Sequence, residues 1–197
     1  MNDEIVAGGG HGQINSKRVI ITTEMNELAP ILEVKTHECV TPLNGEDLET
    51  INQLKELLLE QWDTSYGIAA PQIGIPKRIF IMRDRRNQVR VFVNPVVIRA
   101  SREASNKPEG CLSVKNFFPR VTRSKSITIQ WFCPDKGNIQ ESIFQDMDAR
   151  VIQHELDHLN GRLITYHGML NLEKQFKHKM AIKNKRDQAR TKRKAKR

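Results

Sequence analysis

The sequence lacks the features that mark membrane and secreted proteins. Its 197 residues contain no apolar run of the roughly 18 residues that a membrane-spanning helix requires. The acidic start, residues 1–4, leads into a run of glycines and has neither the basic nor the apolar segment of a signal peptide. Three cysteines, an odd number, argue against a disulfide framework. We therefore predict a cytoplasmic protein in which a functional cysteine serves as a metal ligand or a nucleophile.

Aromatic residues make up only 6% of the sequence, but the hydrophobic fraction of 38% is enough for one buried core. This excludes a wholly disordered chain. The length corresponds to little more than one domain. We predict a flexible lead-in over residues 1–16, one folded domain over residues 17–170, and a basic helix or tail over residues 171–197.

Acidic residues are scarce at the C-terminal end. From Glu173 onward the chain carries twelve basic and two acidic side chains, whereas residues 1–172 have a net charge of −1. This asymmetry predicts a near-neutral body with a basic appendage that contacts a polyanion such as RNA. The alternative is a solvated end that only aids solubility. The residues assigned to the contact are Lys183, Lys185, Arg186, Arg190, Lys192, Arg193 and Lys194.

Apolar periodicity predicts the helices. The first begins at a cap on Asn44 and ends before Ser65. The second runs over residues 146–160 and stops at Gly161. A third begins beyond Asn171 and continues into the basic end. The apolar positions that define the first helix are Leu48, Ile51, Leu54, Leu58 and Trp62.

Short runs rich in β-branched and aromatic residues predict strands. These runs are residues 19–22, 79–82, 89–93, 96–98, 126–132 and 140–144. Residues 134–138 read as a hairpin turn between the last two strands, and residues 71–76 as an irregular loop. The predicted fold class is α+β, with short, mostly antiparallel strands packed around one central helix, followed by the basic C-terminal helix or tail.

The pattern His-Glu-Leu-Asp-His at residues 154–158 is the strongest chemical signal. On a helix, residues four apart lie on one face, so His154 and His158 can reach a single metal ion. Glu155 lies beside the first ligand, where its carboxylate can take a proton from a metal-bound water. The central helix is therefore predicted to bind metal.

A catalytic site of this type needs a third protein ligand. Downstream, His167 and Glu173 are the candidates. Upstream, Cys111 follows a glycine that would let the backbone bring a thiolate close to an ion. The alternative for Cys111 is a buried free cysteine, which fits Cys39 and Cys133 better.

A third segment, residues 67–72, reads Gly-Ile-Ala-Ala-Pro-Gln. Small residues followed by a proline let a rigid chain pass close to a site. Gln72 ends the segment with an amide that can donate a hydrogen bond to a developing oxyanion. Taken alone, the segment is equally consistent with a tight loop after a helix.

These three segments, in this order, resemble the peptide deformylase family. The family's motifs are Gly-x-Gly-φ-Ala-Ala-Pro-Gln, Glu-Gly-Cys-φ-Ser and His-Glu-φ-Asp-His-Leu-x-Gly. Here they correspond to residues 65–72, 109–113 and 154–161, and the second and third match without exception. The resemblance extends over residues 28–170.

The resemblance implies a role for each matching residue. Glu155 would be the general acid/base, and the Gln72 amide and the Leu112 N–H would form the oxyanion hole. The substrate would lie along the site as an added strand. The implied metal ligands are Cys111, His154 and His158, and the implied substrate-binding residues are Tyr66, Gly67, Gly110 and Val151. Arg120 would brace Glu109 as structural support.

The implied reaction removes the N-formyl group from the N-terminal formylmethionine of nascent polypeptides. Hydroxide on the metal attacks the formyl carbon, and Glu155 then passes its proton to the departing amine. The products are formate and a peptide with a free N-terminal methionine. The family implies one divalent ion per chain, Fe(II) in the cell, with Zn, Ni or Co as alternatives.

The chain departs from the family pattern in three places. Ser65 stands where the first motif has a glycine, so its backbone must avoid positive φ or be strained. Tyr66 replaces a small aliphatic residue, so its phenol either narrows the methionine pocket or folds outward. The stretch from Cys111 to Arg120 is shorter than in many relatives. Since no ligand is lost, we predict an active enzyme.

The family also implies a partner for the basic end. In bacterial members a C-terminal helix docks on the ribosome, so ribosomal RNA is the expected polyanion. We expect a monomer with no membrane contact, of bacterial, organellar or bacteriophage source. Two other classes compete: a protease that uses the His-Glu-x-x-His site on ordinary peptide bonds, and a ribosome-binding module that has lost the chemistry. Cys111 and the Ala-Ala-Pro-Gln loop argue against the protease.

Overall fold

Seven strands and three α-helices form the part of the chain that the structure describes. This computed structural model describes residues 20–24 and 29–170, together with four positions further on: Glu173, Lys177, Met180 and Ala181. In chain order the elements are α1 (Gly45–Glu60), β1 (Gly67–Ala69), β2 (Ile79–Arg83), β3 (Val89–Ala100), β4 (Ala104–Pro108), β5 (Arg120–Ser124), β6 (Ser126–Cys133), β7 (Asn138–Gln145), α2 (Asp146–Leu159) and α3, described over residues 164–170. Short 3₁₀ helices span Ala29–Glu33 and Ala70–Ile73.

All strand pairs are antiparallel. One sheet has five strands in the order β1-β2-β3-β6-β7, and β4 and β5 form a separate two-stranded sheet. The main core fills the space between the larger sheet and α2. The rings of Phe80 and Phe92 stack with centroids 4.6 Å apart, and Ile152 and Leu156 of α2 belong to the same buried cluster. The predicted α+β class with a central helix is confirmed.

Helix α1 has the predicted start. The side chain of Asn44 accepts a hydrogen bond from the Asp47 N–H, and the Asp47 carboxylate accepts one from the Asn44 N–H. This reciprocal pair satisfies two donors at the helix end. One predicted core position is wrong, because Leu48 is 49% exposed whereas Leu57 is buried. Compared with the prediction, the buried face of α1 is therefore rotated toward residues 50, 54 and 57.

Strands β1, β4 and β5 were not predicted, and β3 was predicted as two separate strands. Strand β4 reads Ala-Ser-Asn-Lys-Pro, all residue types without strand preference, and it exists because it pairs with β5. Strand β1 has only three residues, in a segment predicted as a loop. Strand β3 runs through the predicted break at Asn94, whose φ is +49°, with a register shift between Val93 and Val96. The strand predicted over residues 19–22 is absent from its described part, residues 20–22.

Helix α2 confirms the second predicted helix, including its stop. Gly161 has φ +67°, and a Cβ there would collide with the backbone carbonyl of Glu33. Helix α3 begins at residue 164, earlier than predicted. The lead-in over residues 1–16 and the seven basic residues assigned to RNA contact lie outside the described residues. No helix in the described ranges has the length and apolarity needed to cross a bilayer.

Candidate active site and metal centre

Two histidines of α2 and one cysteine form a candidate metal centre. His154 and His158 are one helical turn apart, with ring centroids separated by 5.1 Å. Cys111 lies in the loop between β4 and β5, and its Sγ is 3.3 Å from Nε2 of His158. One ligand atom from each residue lies within 4.8 Å of the other two. A thiolate and two imidazoles suit a borderline divalent ion such as iron or zinc, so the donor set fits a metal.

A buried carboxylate orients the first histidine. Oε2 of Glu109 is 3.1 Å from Nδ1 of His154. With Nδ1 donating to this carboxylate, Nε2 is left as the ligand atom. Arg123 donates to both carboxylate oxygens at 3.1 and 2.9 Å, and Arg150 contacts Oε1. The orientation of a metal ligand therefore depends on a buried cluster of charged side chains.

The prediction that Arg120 braces Glu109 is wrong. Burial alternates along β5, which places Arg120 on the exposed face and Arg123 on the buried one. The guanidinium of Arg120 donates to the carbonyl of Asn106. Arg123 and Arg150 hold Glu109 instead. Arg150 lies four residues before a ligand histidine, so helical spacing was a signal that could have found it.

Burial and charge set the protonation of the ligands. Burial alone would raise the pKa of Cys111, but His158 and His154 outweigh this and lower that pKa well below the ordinary thiol value. Burial would lower the pKa of His154, yet its hydrogen bonds to Cys111 and Glu109 raise it to about 10. The site thus presents a thiolate beside a protonated imidazole. A cation that binds there must displace the proton of His154.

The Glu155 carboxylate faces strand β1. The residue is 3% exposed, and Oε2 has no hydrogen-bond partner among the described residues. Burial raises the pKa of Glu155 to about 7, against the opposing charges of His154 and His158. A Cβ on Gly67 would lie 2.6 Å from Oε1, so only glycine leaves room for the carboxylate. One carboxylate oxygen is therefore free to exchange a proton near neutral pH.

Gln72 joins the β1 segment to the cysteine loop. Its Oε1 accepts a hydrogen bond from the Ala69 N–H at 2.9 Å, and its Nε2 donates to the Ser113 hydroxyl at 3.2 Å. The Leu112 N–H donates to none of the residues that the structure describes. The two predicted oxyanion donors thus lie on segments that are tied together beside the metal centre.

Two of the predicted substrate-binding residues, Tyr66 and Gly67, lie at an open sheet edge. Strand β1 is an edge strand that pairs with β2 alone in the described sheet. The Tyr66 ring is 48% exposed and stacks on the Arg83 guanidinium at 4.9 Å. The ring of Phe118 lies on Gly110, where a Cβ would be 2.9 Å from it. Val151, one turn before Glu155, is buried in the main core cluster. The Ser65 backbone does not take a positive φ.

The other two candidates for the third metal ligand, His167 and Glu173, lie outside the cluster of Cys111, His154 and His158. Nε2 of His167 is 2.8 Å from Asp157, and Glu173 pairs with Lys177. Cys39 is buried and Cys133 partly buried, both as free thiols outside the metal cluster. Of the three ligand alternatives left by the sequence, only Cys111 lies beside the two histidines.

Together, an α+β fold and a Cys-His-His centre on a His-Glu-x-x-His helix define a metal-dependent hydrolase. A sequence profile described as polypeptide deformylase matches residues 22–175. The chain belongs to this family. It is therefore an enzyme that removes the N-formyl group from nascent polypeptides with the help of a divalent metal, as predicted.

Individual relatives agree with this assignment. The peptide deformylase of Pseudothermotoga lettingae is 45% identical over 118 residues, which cover 59% of this chain and 67% of that protein. The crystal structure of peptide deformylase from Thermotoga maritima matches with a TM-score of 0.66 and 34% identity, covering 75% of this chain and 95% of that one. A Met-Ala-Ser-bound class I type b enzyme from Acinetobacter baumannii matches with a TM-score of 0.66 and 28% identity, covering 75% of this chain and 96% of that one.

Proposed function

We propose that Cys111, His154 and His158 hold the catalytic ion and that Glu155 moves the protons of the reaction. The observation that carries this assignment is the Glu155 carboxylate itself. It is buried next to a ligand histidine, its Oε2 has no partner among the described residues, and Gly67 leaves space for it. A buried carboxylate kept free of structural hydrogen bonds is suited to proton transfer.

The open edge of β1 is the proposed binding place for the substrate. An extended formyl-methionyl peptide adds there as a strand, pairing with the backbone near Tyr66 and Gly67 on one side and Gly110 on the other. Val151 contributes to the pocket for the methionine side chain. The relative crystallised with Met-Ala-Ser supports an N-terminal methionyl peptide as the product.

Different side-chain and backbone groups of the chain carry out the separate steps of the proposed reaction. A divalent ion held by Cys111, His154 and His158 would lower the pKa of a bound water molecule and would polarise the formyl oxygen. Glu155 would accept a proton from that water while the oxygen of the water forms a bond to the formyl carbon. The negative charge on the formyl oxygen is met by the Nε2–H of Gln72 and the N–H of Leu112. Glu155 next donates its proton to the leaving nitrogen, the C–N bond breaks, and formate and a free amine result.

Fe(II) is the proposed ion in the cell, with Zn, Ni or Co able to replace it. The thiolate of Cys111 supports a transition metal of this group over Mg²⁺ or Ca²⁺, because sulfur makes the site softer than one built from nitrogen and oxygen alone. We also propose that the enzyme works in the cytoplasm as a monomer.

The proposed reaction is tested by formate release. Protein purified without air should release formate from formyl-Met-Ala-Ser and leave acetyl-Met-Ala-Ser intact, as the proposed deformylation requires. Formate is measured directly and the ion by elemental analysis. Cleavage of the acetylated peptide or of an internal bond would favour a protease. A metal-loaded protein that releases no formate would contradict the proposed activity.

The basic end is proposed to bind ribosomal RNA. Its twelve basic side chains would release counterions from phosphates, so affinity should fall steeply with salt. We expect the full chain to pellet with ribosomes at low salt and a chain ending at residue 170 to stay in the supernatant. Formate release by the shortened chain serves as the control for folding. Unchanged pelleting after truncation would exclude the basic end as the contact.

A further inference from the structure

A line of polar contacts, buried at its centre, connects α3 to the proposed metal ligand His154. Nε2 of His167 is 2.8 Å from Oδ2 of Asp157, and the same oxygen accepts a hydrogen bond from Nη1 of Arg123. Arg123 in turn holds both oxygens of Glu109, whose Oε2 contacts Nδ1 of His154. We propose that His167 is a positioning residue for the metal ligand His154. This inference rests on the proposed ligand set.

The Arg123–Glu109 contact at the centre of the line is buried, and the contacts on either side of it are partly buried. The side chains of Arg123 and Glu109 are 5% and 6% exposed, and that of Asp157 is 15% exposed. Because charges alternate along the line, a shift of one group leaves its neighbour with an unmatched charge in a poorly solvated region. Displacements are therefore passed along the line instead of being absorbed by water.

His167 supplies the outermost donor. Without its imidazole, Oδ2 of Asp157 keeps Arg123 as its remaining side-chain partner in the described structure. The carboxylate is then free to turn further toward Arg123. Nη2 of Arg123 and Nδ1 of His154 share Oε2 of Glu109, so a movement of the guanidinium reaches the imidazole through one oxygen atom.

Packing fixes His167 in place independently of its hydrogen bond to Asp157. The next residue, Gly168, is buried against the ring of Phe117, and a Cβ there would lie 2.5 Å from the ring. Leu163, just before α3, and Ile164, its first residue, are buried in a cluster that Cys111 also contacts. Helix α3 is thus seated on the cysteine loop, and removal of the His167 donor tests the polar contact without removing the helix.

The test compares His167→Leu with His167→Gln. The two side chains are similar in volume, but only the glutamine amide can donate to Asp157. Each protein is loaded with Zn(II) and mixed with a chelator whose zinc complex absorbs visible light. The rate at which absorbance rises gives the rate of zinc release, a readout separate from deformylation. Since loss of a direct outer-shell partner typically weakens metal binding about 10–100-fold, the more distant His167→Leu change should speed release by about threefold to tenfold. His167→Gln should restore most of the wild-type rate.

Two controls separate positioning from a general loss of stability. Ile51→Val lies in the α1 core and should lower the melting temperature without speeding zinc release. Arg162→Ala removes an exposed cation just before α3 and should change neither quantity. If His167→Leu does not fold, His167→Met, which also lacks a hydrogen-bond donor, takes its place.

The outcomes distinguish the inference from the proposed function. A folded His167→Leu protein that releases zinc at the wild-type rate overturns the positioning role, as does equal acceleration in Ile51→Val or in His167→Gln. If the wild-type protein retains no zinc, the proposed ligand set fails instead. Faster release in His167→Leu alone, with rescue by glutamine, establishes the positioning role.

Discussion

Replacement of Glu155 by glutamine is expected to lower kcat for formate release by about 10²–10⁴, the range typical of a lost general acid/base. The amide keeps the size of the side chain but cannot accept the proton of the attacking water. Because Oε2 has no structural partner in the described part of the chain, the substitution should leave folding intact. Formate release from formyl-Met-Ala-Ser, measured beside metal content per chain, checks both expectations.

The matched control for this substitution is Glu103→Gln. Glu103 forms an exposed ion pair with Lys125 in the region between β3 and β6, away from the ligand triad. Exposed pairs of this kind contribute little to stability, so this variant should keep wild-type kcat and metal content. A Glu155→Gln protein that binds metal and retains kcat within a factor of about three would contradict the proton-transfer role, whose expected size is far larger.

Replacement of Glu109 by glutamine is expected to destabilise the fold by about 3–5 kcal/mol, the usual cost of breaking a buried ion pair from one side. Arg123 and Arg150 would lose the carboxylate that neutralises them in the interior. The same change removes the charged acceptor of Nδ1 of His154, so metal binding should weaken as well. Urea unfolding followed by circular dichroism gives the free energy, and Glu141→Gln on β7 supplies an exposed control.

The pH dependence of the free energy of unfolding tests whether the charge of Glu109 is the source of its stabilising effect. Burial alone would raise the pKa of Glu109, but the hydrogen bonds from His154 and Arg123 lower it from 4.5 to about 2. A carboxylate with a depressed pKa in the folded state stabilises that state fully above pH 4.5 and loses this effect as the pH falls toward 2. The stability difference between the wild type and Glu109→Gln should therefore narrow over this interval. If the difference in unfolding free energy between the two proteins stays constant with pH, the stability lost in Glu109→Gln comes from packing and not from the charge.

The metal centre was predictable because its main signal is local. Two histidines four residues apart occupy one helix face in any α-helix, so the sequence alone placed His154 and His158 together. The Asn44 cap was equally local. The third ligand was not, since nothing in the spacing between Cys111 and α2 determines that they meet. It was selected by resemblance to a family, and the geometry agrees.

The errors occurred where tertiary pairing overrides local preference. Strand β4 contains residue types that avoid strands, and its existence follows from pairing with β5. The wrong choice of Arg120 over Arg123 has the same origin. Which of two nearby arginines points inward depends on the register of β5, and that register was unknown while the strand itself was unpredicted.

The cysteine and the second histidine of the candidate metal centre are far apart in the chain, since Cys111 and His158 are 47 positions apart. During synthesis the cysteine leaves the ribosome first, and strands β1 to β7 can pair before α2 is complete. Capture of an ion by the proposed ligands must wait until the second histidine has been added and α2 has docked. A chain interrupted before residue 158 therefore contains every strand of both sheets yet lacks a complete ligand set, and catalytic competence arises only late in translation.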